Sequence, residues 1–473
     1  MNKIKLPIIV ILVTVLVMTV FIGCKGALVQ ETVAGEITTE ATTAAATTAA
    51  ETTAAATTST GGEPITVTMW DYQNVENWSI AYDEIIKKFQ EKYPNVTIQR
   101  LAQSHEEGEP KIKAAALAGN LPDLVPFEPG EPFNTAVTTG LIQNFEPFVK
   151  ADPEWASWVA LYQTDPWVSY NGQGIWRIAA DRYQITSFYY KDISQQNGLI
   201  DPPLKLSDLE ANGQILSGKE IVPIGSSLQG GFAESVVFGV FYCQLVGDVQ
   251  KAWDTYTEAA KGQISWENDD FKTALDGLVR LSKLHTIDAV NYVYGTDDYD
   301  RIFNKKDWYY MYMGSWMLGE LETKRAEDAK AGNIGVALYP AVNDNVDPIY
   351  YCGGIGAHYS LNAKLEEGTH LDMVLKWAKF INSPDASEIF LKHDVMPAGA
   401  AVQNPEQFLN PLTVEFLKVV SKGKQVPVEW GIGNIIPELS DPYYTGLTKL
   451  VTGEETVDQF LTEMNNICGY KGQ

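Results

Sequence analysis

Between Ile65 and Phe127 the chain switches repeatedly between two hydrophobic periods, and that alternation constrains the fold more than any other feature of the sequence. "ITVTMW", Ile65 to Trp70, alternates Ile65, Val67 and Met69 with Thr66 and Thr68, the two-residue period of a strand. From Ser79 the apolar residues Tyr82, Ile85, Ile86, Phe89 and Tyr93 fall at helical spacing until Pro94 ends the run. "VTIQRL" predicts a second strand, "EPKIKAAALAG" a second helix closed by Gly119, and "LPDLVPF" a third strand. Strand, helix, strand, helix, strand within about 60 residues is the pattern of a parallel sheet with crossover helices. Ligands of such sheets sit at the carboxyl ends of the strands, which singles out the loops after Trp70, Leu101 and Phe127.

What precedes this segment is of another kind. Lys3 and Lys5 stand before an apolar run from Ile8 to Ile22, so residues 1–24 read as a secretory signal. Its end, "FIGC", resembles a bacterial lipobox in which Cys24 is lipidated and becomes the mature N-terminus. The competing reading, an uncleaved anchor, suffers because a spanning helix needs ~20 apolar residues. Residues 25–63 include "TTAAATTAAETTAAATTST" and hold too little apolar surface to offset the entropy of ordering; a flexible tether open to O-glycans is expected.

Roughly 400 residues remain, enough for two or three domains with real cores. The formal net charge of −25 makes nucleic acid and anionic headgroups poor partners and leaves neutral or cationic ligands favoured. Cys243, Cys352 and Cys468 have no C-x-x-C spacing, and one disulfide with one thiol or three thiols are both compatible with the sequence. G-x-S-x-G, H-E-x-x-H and Walker loops are absent. The five histidines show no metal spacing, and "GTDDYD" and "NDNVD" lack the spacing of a calcium loop, so neither metal nor cofactor is expected.

Blocks spread along the chain carry a resemblance. "VTMW", "FQEKYPNVTI", "KIKAAALAGNLPDLV" and "TTGLIQNFEPFV" resemble the N-terminal lobe of the extracellular solute-binding proteins of ABC importers, in the branch that includes maltose-binding protein. "FYYKDISQQNGLIDPPLKLSDLEANGQIL" resembles the family's entry to its second lobe, and "IFNKKDWYYMYMGSWMLGEL" its "F-x-x-G-K-A-A-M-x-x-x-G-x-W" segment without the Gly-Lys-Ala core. "NIGVALYP", "CGGIGAHYSLNAK" with "LKWAKFINSPDASEIFL", and "VTGEETVDQFLTEMNN" follow in family order. The resemblance implies an α/β, periplasmic-binding-protein-like fold: two α/β lobes, a hinge of crossover strands and a ligand cleft between them. It implies an N-terminal lobe of 64–183 and 356–400 and a C-terminal lobe of 184–355 and 401–473. It further implies a monomeric, lipid-anchored receptor on the outer face of the cell membrane, or in a periplasm, that hands a sugar or oligosaccharide to permease subunits without chemistry. The same fold binding a non-sugar solute, and a surface-anchored glycoside hydrolase, are the alternatives.

A sugar site needs flat aromatic walls for C–H faces and polar groups for hydroxyls. Trp316, after Gly314 in "YMYMGSWML", matches the family's stacking aromatic, with Trp70 and Trp430 as further candidates. Asp71 and Asn74 fill the loop after the first strand, Gln103 and His105 follow the second, and Glu128 and Glu131 follow the third. Asp181 and Arg182 lie at the first crossover, to face the cleft or to brace the hinge as an ion pair. Gln229 and Phe232 lie in a Gly-rich loop, and Gly353 and Gly354 match the return crossover.

Overall fold

The structure, a computed structural model, describes residues 62–472 except 171, 229, 287, 292–296 and 428–434, and except the side chains of 105, 106, 297, 298, 427 and 437. The signal, Cys24 and nearly all of the tether lie outside the described residues. The strands are β1 (Ile65–Asp71), β2 (Val96–Ala102), β3 (Leu124–Val125), β4 (Ile142–Gln143), β5 (Ile178–Ala179) and β6 (Arg182–Tyr190). Then follow β7 (Val222–Ile224), β8 (Trp308–Gly314), β9 (Ile334–Ala337), β10 (Tyr350–Ile355), β11 (His358–Asn362) and β12 (Lys424–Pro427).

They make two sheets. The first has the order β2-β1-β3-β11-β4, with β5 on β11; the second has β12-β10-β6-β8-β7, with β9 on β6. β1 is parallel to both β2 and β3, as the alternation predicts, while β11 comes back antiparallel to β3 and β4. The strand β3 is much shorter than "LPDLVPF" suggests, because Pro122 and Pro126 on either side have no N–H for a ladder. The helix before it spans His105–Ala118, with Ser104 accepting from the Glu107 N–H and Gly119 closing it in the left-handed region. Pro110, a natural starting residue, instead sits inside the helix, since the Ser104 cap begins it earlier.

The helix Glu76–Lys92 buries Trp78, Tyr82, Ile85 and Phe89 against the first sheet. In the second lobe β8 is buried along its whole length, and the helix Phe232–Val246 behind it is buried from Glu234 to Gln244. No single described helix is long and apolar enough to cross a membrane. Cys243 and Cys352 are buried thiols and Cys468 a half-buried one.

The chain passes between the sheets at Ala180–Asp181 and again at Gly356–Ala357, and the two crossings are tied together. The Ala180 N–H donates to the Ala357 carbonyl at 2.7 Å, and the Gly356 N–H to the Asp181 carbonyl at 2.8 Å. The buried Asp181 carboxylate accepts from Trp78 Nε1 at 2.9 Å and from the Ala357 N–H at 3.0 Å. A Cβ on Gly356 would fall on Asp181 Oδ1, so glycine is required there. Gly353 and Gly354 pair with Gln184 and Tyr183 inside the second sheet.

After the first crossing come β6, the helix Lys191–Asn197 and a left-handed Gly198. The next helix starts at Leu206, after the double proline, where Asp208 reaches back to the Lys205 N–H.

Candidate functional site

Three aromatic rings run from one lobe to the other. Trp167 lies 6.2 Å from Tyr183 of β6, and Tyr183 lies 5.8 Å from Trp316, edge to face. Trp167 and Trp316 each pack against the hydrophobic cores of both lobes. Trp316 takes this place because β8 ends at Gly314, over which the Trp316 ring folds back; any Cβ there would strike the ring. The glycine therefore seats the tryptophan. Beside Trp316 lies a small space walled by Phe232, Tyr312, Met313, Tyr339 and Ile185.

The strand ends of the first lobe supply the polar groups. Glu128 follows β3, and burial pushes its carboxyl up to about 7, with Glu109 adding to the rise and Arg177 opposing it. Burial raises the Tyr72 hydroxyl, and both carboxylates add to the rise. Arg177, fully buried, donates to the Trp167 carbonyl at 2.6 Å and stands 3.6 Å over the Phe133 ring. Gln103 is buried, its carbonyl accepting from Lys111 Nζ at 3.1 Å while its buried Nε2 has no acceptor. His358 has its two ring nitrogens on the Gly356 and Phe127 carbonyls, at 2.8 and 3.1 Å, joining the hinge to the residue before Glu128.

Other residues singled out in the sequence sit elsewhere. Asp71 is buried and spent on Arg100, at 2.6 and 2.9 Å, and on the Gln73 N–H. Trp70 is half-buried beside Tyr72 and Phe133, Asn74 is exposed, and Glu131 is exposed in a helix where it accepts from Thr135 at 2.7 Å. Asp181 serves the hinge through Trp78 rather than through Arg182, and burial lifts its carboxyl to about 6. Arg182 Nη1 reaches the Leu161 carbonyl at 3.5 Å. Phe232 lines the pocket. Gln229, Trp430 and the His105 side chain lie outside the described residues.

Sequence reasoning passed over Tyr72, Glu109, Trp167, Arg177, Tyr183, Tyr312 and Tyr339. Tyr72 and Tyr183 sit in stretches already marked for attention, one residue from a named candidate, so widening those windows would have found them. Trp167 and Arg177 gave no signal, since loops place them.

The profile of bacterial extracellular solute-binding proteins matches residues 84–410, more than half of the chain. This chain belongs to that family. Among curated protein sequences none matches it. Its fold is similar to that of a chitin oligosaccharide binding protein, at 15% identity and TM-score 0.71 over 86% of this chain and 99% of that one. It is also similar to an ABC transporter solute-binding protein of Thermotoga lettingae bound with α-D-tagatose (19% identity, TM-score 0.66, 86% and 100% covered). A third is the GacH receptor of Streptomyces glaucescens, solved unliganded and with acarbose (18%, 0.63, 86% and 98%). The solute-binding fold, with two lobes about a hinge, is thus common to this chain and these proteins.

Proposed function

We propose that this solute-binding protein is a lipid-anchored receptor outside the cytoplasm, which closes over a sugar or oligosaccharide and delivers it to an ABC permease. The observation that carries this reading is the run Trp167, Tyr183, Trp316 across the hinge, next to a pocket of aromatic walls. Flat rings match the C–H faces of a sugar, and Gln103 and Glu128 after the strands with Glu109 on the His105–Ala118 helix offer partners for its hydroxyls. Contacts from both lobes would shift the open and closed populations toward closed, which is how binding becomes a signal to the permease. The sugar ligands named for similar structures support the substrate class. The protein would bind as a monomer without turning its ligand over, held to the membrane through lipid on Cys24.

Calorimetry against a panel of mono- and oligosaccharides tests the class. At least one is expected to bind well below millimolar, with no new reducing ends on incubation. Binding of a peptide or polyamine, with no sugar tighter than millimolar, would overturn it. Cys24→Ala should release the protein from membranes into the medium.

A further inference from the structure

Trp316 is followed at once by the helix Leu318–Lys324, and the first turn of that helix touches the other lobe. A methyl on Gly319 would lie 3.1 Å from Asn77 Nδ2 and 3.5 Å from the His393 carbonyl oxygen. Asn77 belongs to the first turn of the Glu76–Lys92 helix, and His393 follows the helix Pro384–Lys392; both helices pack into the core of the first lobe. Within one helical turn of Trp316, the second lobe therefore meets the first with no room for more than a methyl.

Both sides of this contact are held firmly. In the first lobe Asn77 Nδ2 donates to the His393 carbonyl at 3.1 Å, and the His393 ring meets Glu84 at 3.1 Å. The next residue, Asp394, is buried in the left-handed region at φ 55°, which a non-glycine residue keeps only when its surroundings impose it. Its carboxylate crosses to the second lobe, accepting from Asn410 Nδ2 at 2.6 Å and from Thr413 Oγ1 at 2.7 Å at the start of the helix Pro411–Val420. Phe416 of that helix stacks on Phe188 of β6. Glu322, one turn beyond Gly319, accepts from the Leu412 N–H at 2.9 Å and joins the two second-lobe helices. Elements packed this closely transmit strain, so a push at Gly319 reaches whole lobes.

Resting on the reading that this receptor works by closing its lobes, we propose that Gly319, Asn77 and the His393 carbonyl form a stop between them, which sets the open and closed populations of the free protein. None of the three belongs to the proposed sugar site. The affinity a ligand shows is its affinity for the competent arrangement scaled by the population of that arrangement, so the stop acts on every ligand alike. A side chain longer than a methyl at position 319 drives the helix Leu318–Lys324 off the first lobe and disfavours the lobe arrangement of this structure. Removing the Asn77 side chain clears that ground and relieves the push.

Solution scattering of the free protein and titration calorimetry test this on the parent, Gly319→Leu, Asn77→Ala and the double variant. The probes are malto-, xylo- and chito-oligomers of two to four units. Gly319→Leu should change the radius of gyration and shift the affinity of every oligomer that binds by a common factor of about five, radius and affinity moving in opposite senses. Asn77→Ala alone should leave both close to the parent values, and the double variant should return to within about twofold of the parent. Melting curves identify a variant that does not fold; Gly319→Ala, whose methyl asks only a small shift of Asn77, is then read instead, at about threefold. A changed ratio between two oligomers, an unchanged radius and affinity in both Gly319 variants, or a leucine that acts undiminished without Asn77 would each sink the inference. If no oligomer binds the parent, the sugar reading falls, while the scattering series still decides whether Gly319 is a stop.

Discussion

The two lobes approach the cleft with different chemistry. The first brings carboxylates, an amide and a guanidinium, and the second brings rings. The difference follows from where each wall originates. The polar groups come mostly from the segments after β2 and β3, Gln103 and Glu128 from the loops and Glu109 from the helix between them, and Arg177 from the stretch before β5. The aromatic wall comes from β8, Tyr339 and the start of the Phe232–Val246 helix, elements buried in the second lobe's core, so its rings are held by packing. Rings give affinity with little direction, and polar groups give direction at a desolvation cost. Losses on the second wall should therefore weaken all ligands alike, and losses on the first should alter discrimination.

The sharpest way to break this comparison starts behind the aromatic wall. Tyr190 is fully buried, with its ring 4.5 Å from Trp308 and Lys306 Nζ 4.6 Å over it. Tyr190→Ala should lower stability by about 4 kcal/mol in urea unfolding. A changed sugar preference at an unchanged melting temperature would assign that residue to the site instead. Next in size, Gly356→Ala drives a methyl into Asp181 and should cost roughly 3 kcal/mol, undoing both ties of the hinge. A variant as stable as the parent would show that the crossings are not bound through Asp181.

Trp316→Ala acts on the second wall itself. Its loss should weaken every sugar that binds by about 30-fold, measured by calorimetry, with the order among sugars kept. Reordering without weakening would reverse the roles of the two walls. The smallest effect belongs to Glu128. Because its folded carboxyl titrates near 7, above the ordinary value of 4.5, folding is favoured below that ordinary value and stability drains away as pH rises through 7. Discounted for partial exposure, that loss is ~1 kcal/mol, and Glu128→Gln should flatten the melting-temperature profile between pH 5 and 8. A slope unchanged in Glu128→Gln would transfer it to Asp181 or Glu234, whose carboxyls are raised in the same sense.

Much of the scaffold was legible because it rests on local rules. Period and punctuation marked β1, β2 and their helices, and Gly119 and Gly198 ended helices as left-handed caps. Asp71 shows where such reading stops. It stands at a strand end where ligands gather, yet Arg100 from the neighbouring strand reaches it, through a pairing that places Asp71 beside Ala102 and Met69 beside Arg100. No spacing in the chain reveals which strand end will meet a cation. Glu234 is the opposite case: it looks like an ordinary first-turn acid, and only the packing of β8 and the C-terminal helices around it leaves it buried without a partner.

By itself the sequence determined the alternation of strands and helices, the two-crossing plan, the family and the special place of Trp316, because periodicity and glycine positions act over a few residues. Only the tertiary structure decided that Trp167, Tyr183 and Trp316 align across the hinge, that Asp71 and Asp181 serve structure, and that Glu234 is fully buried. Each of these depends on residues far apart in the chain meeting at one place, and on the desolvation that meeting imposes, which no local pattern encodes.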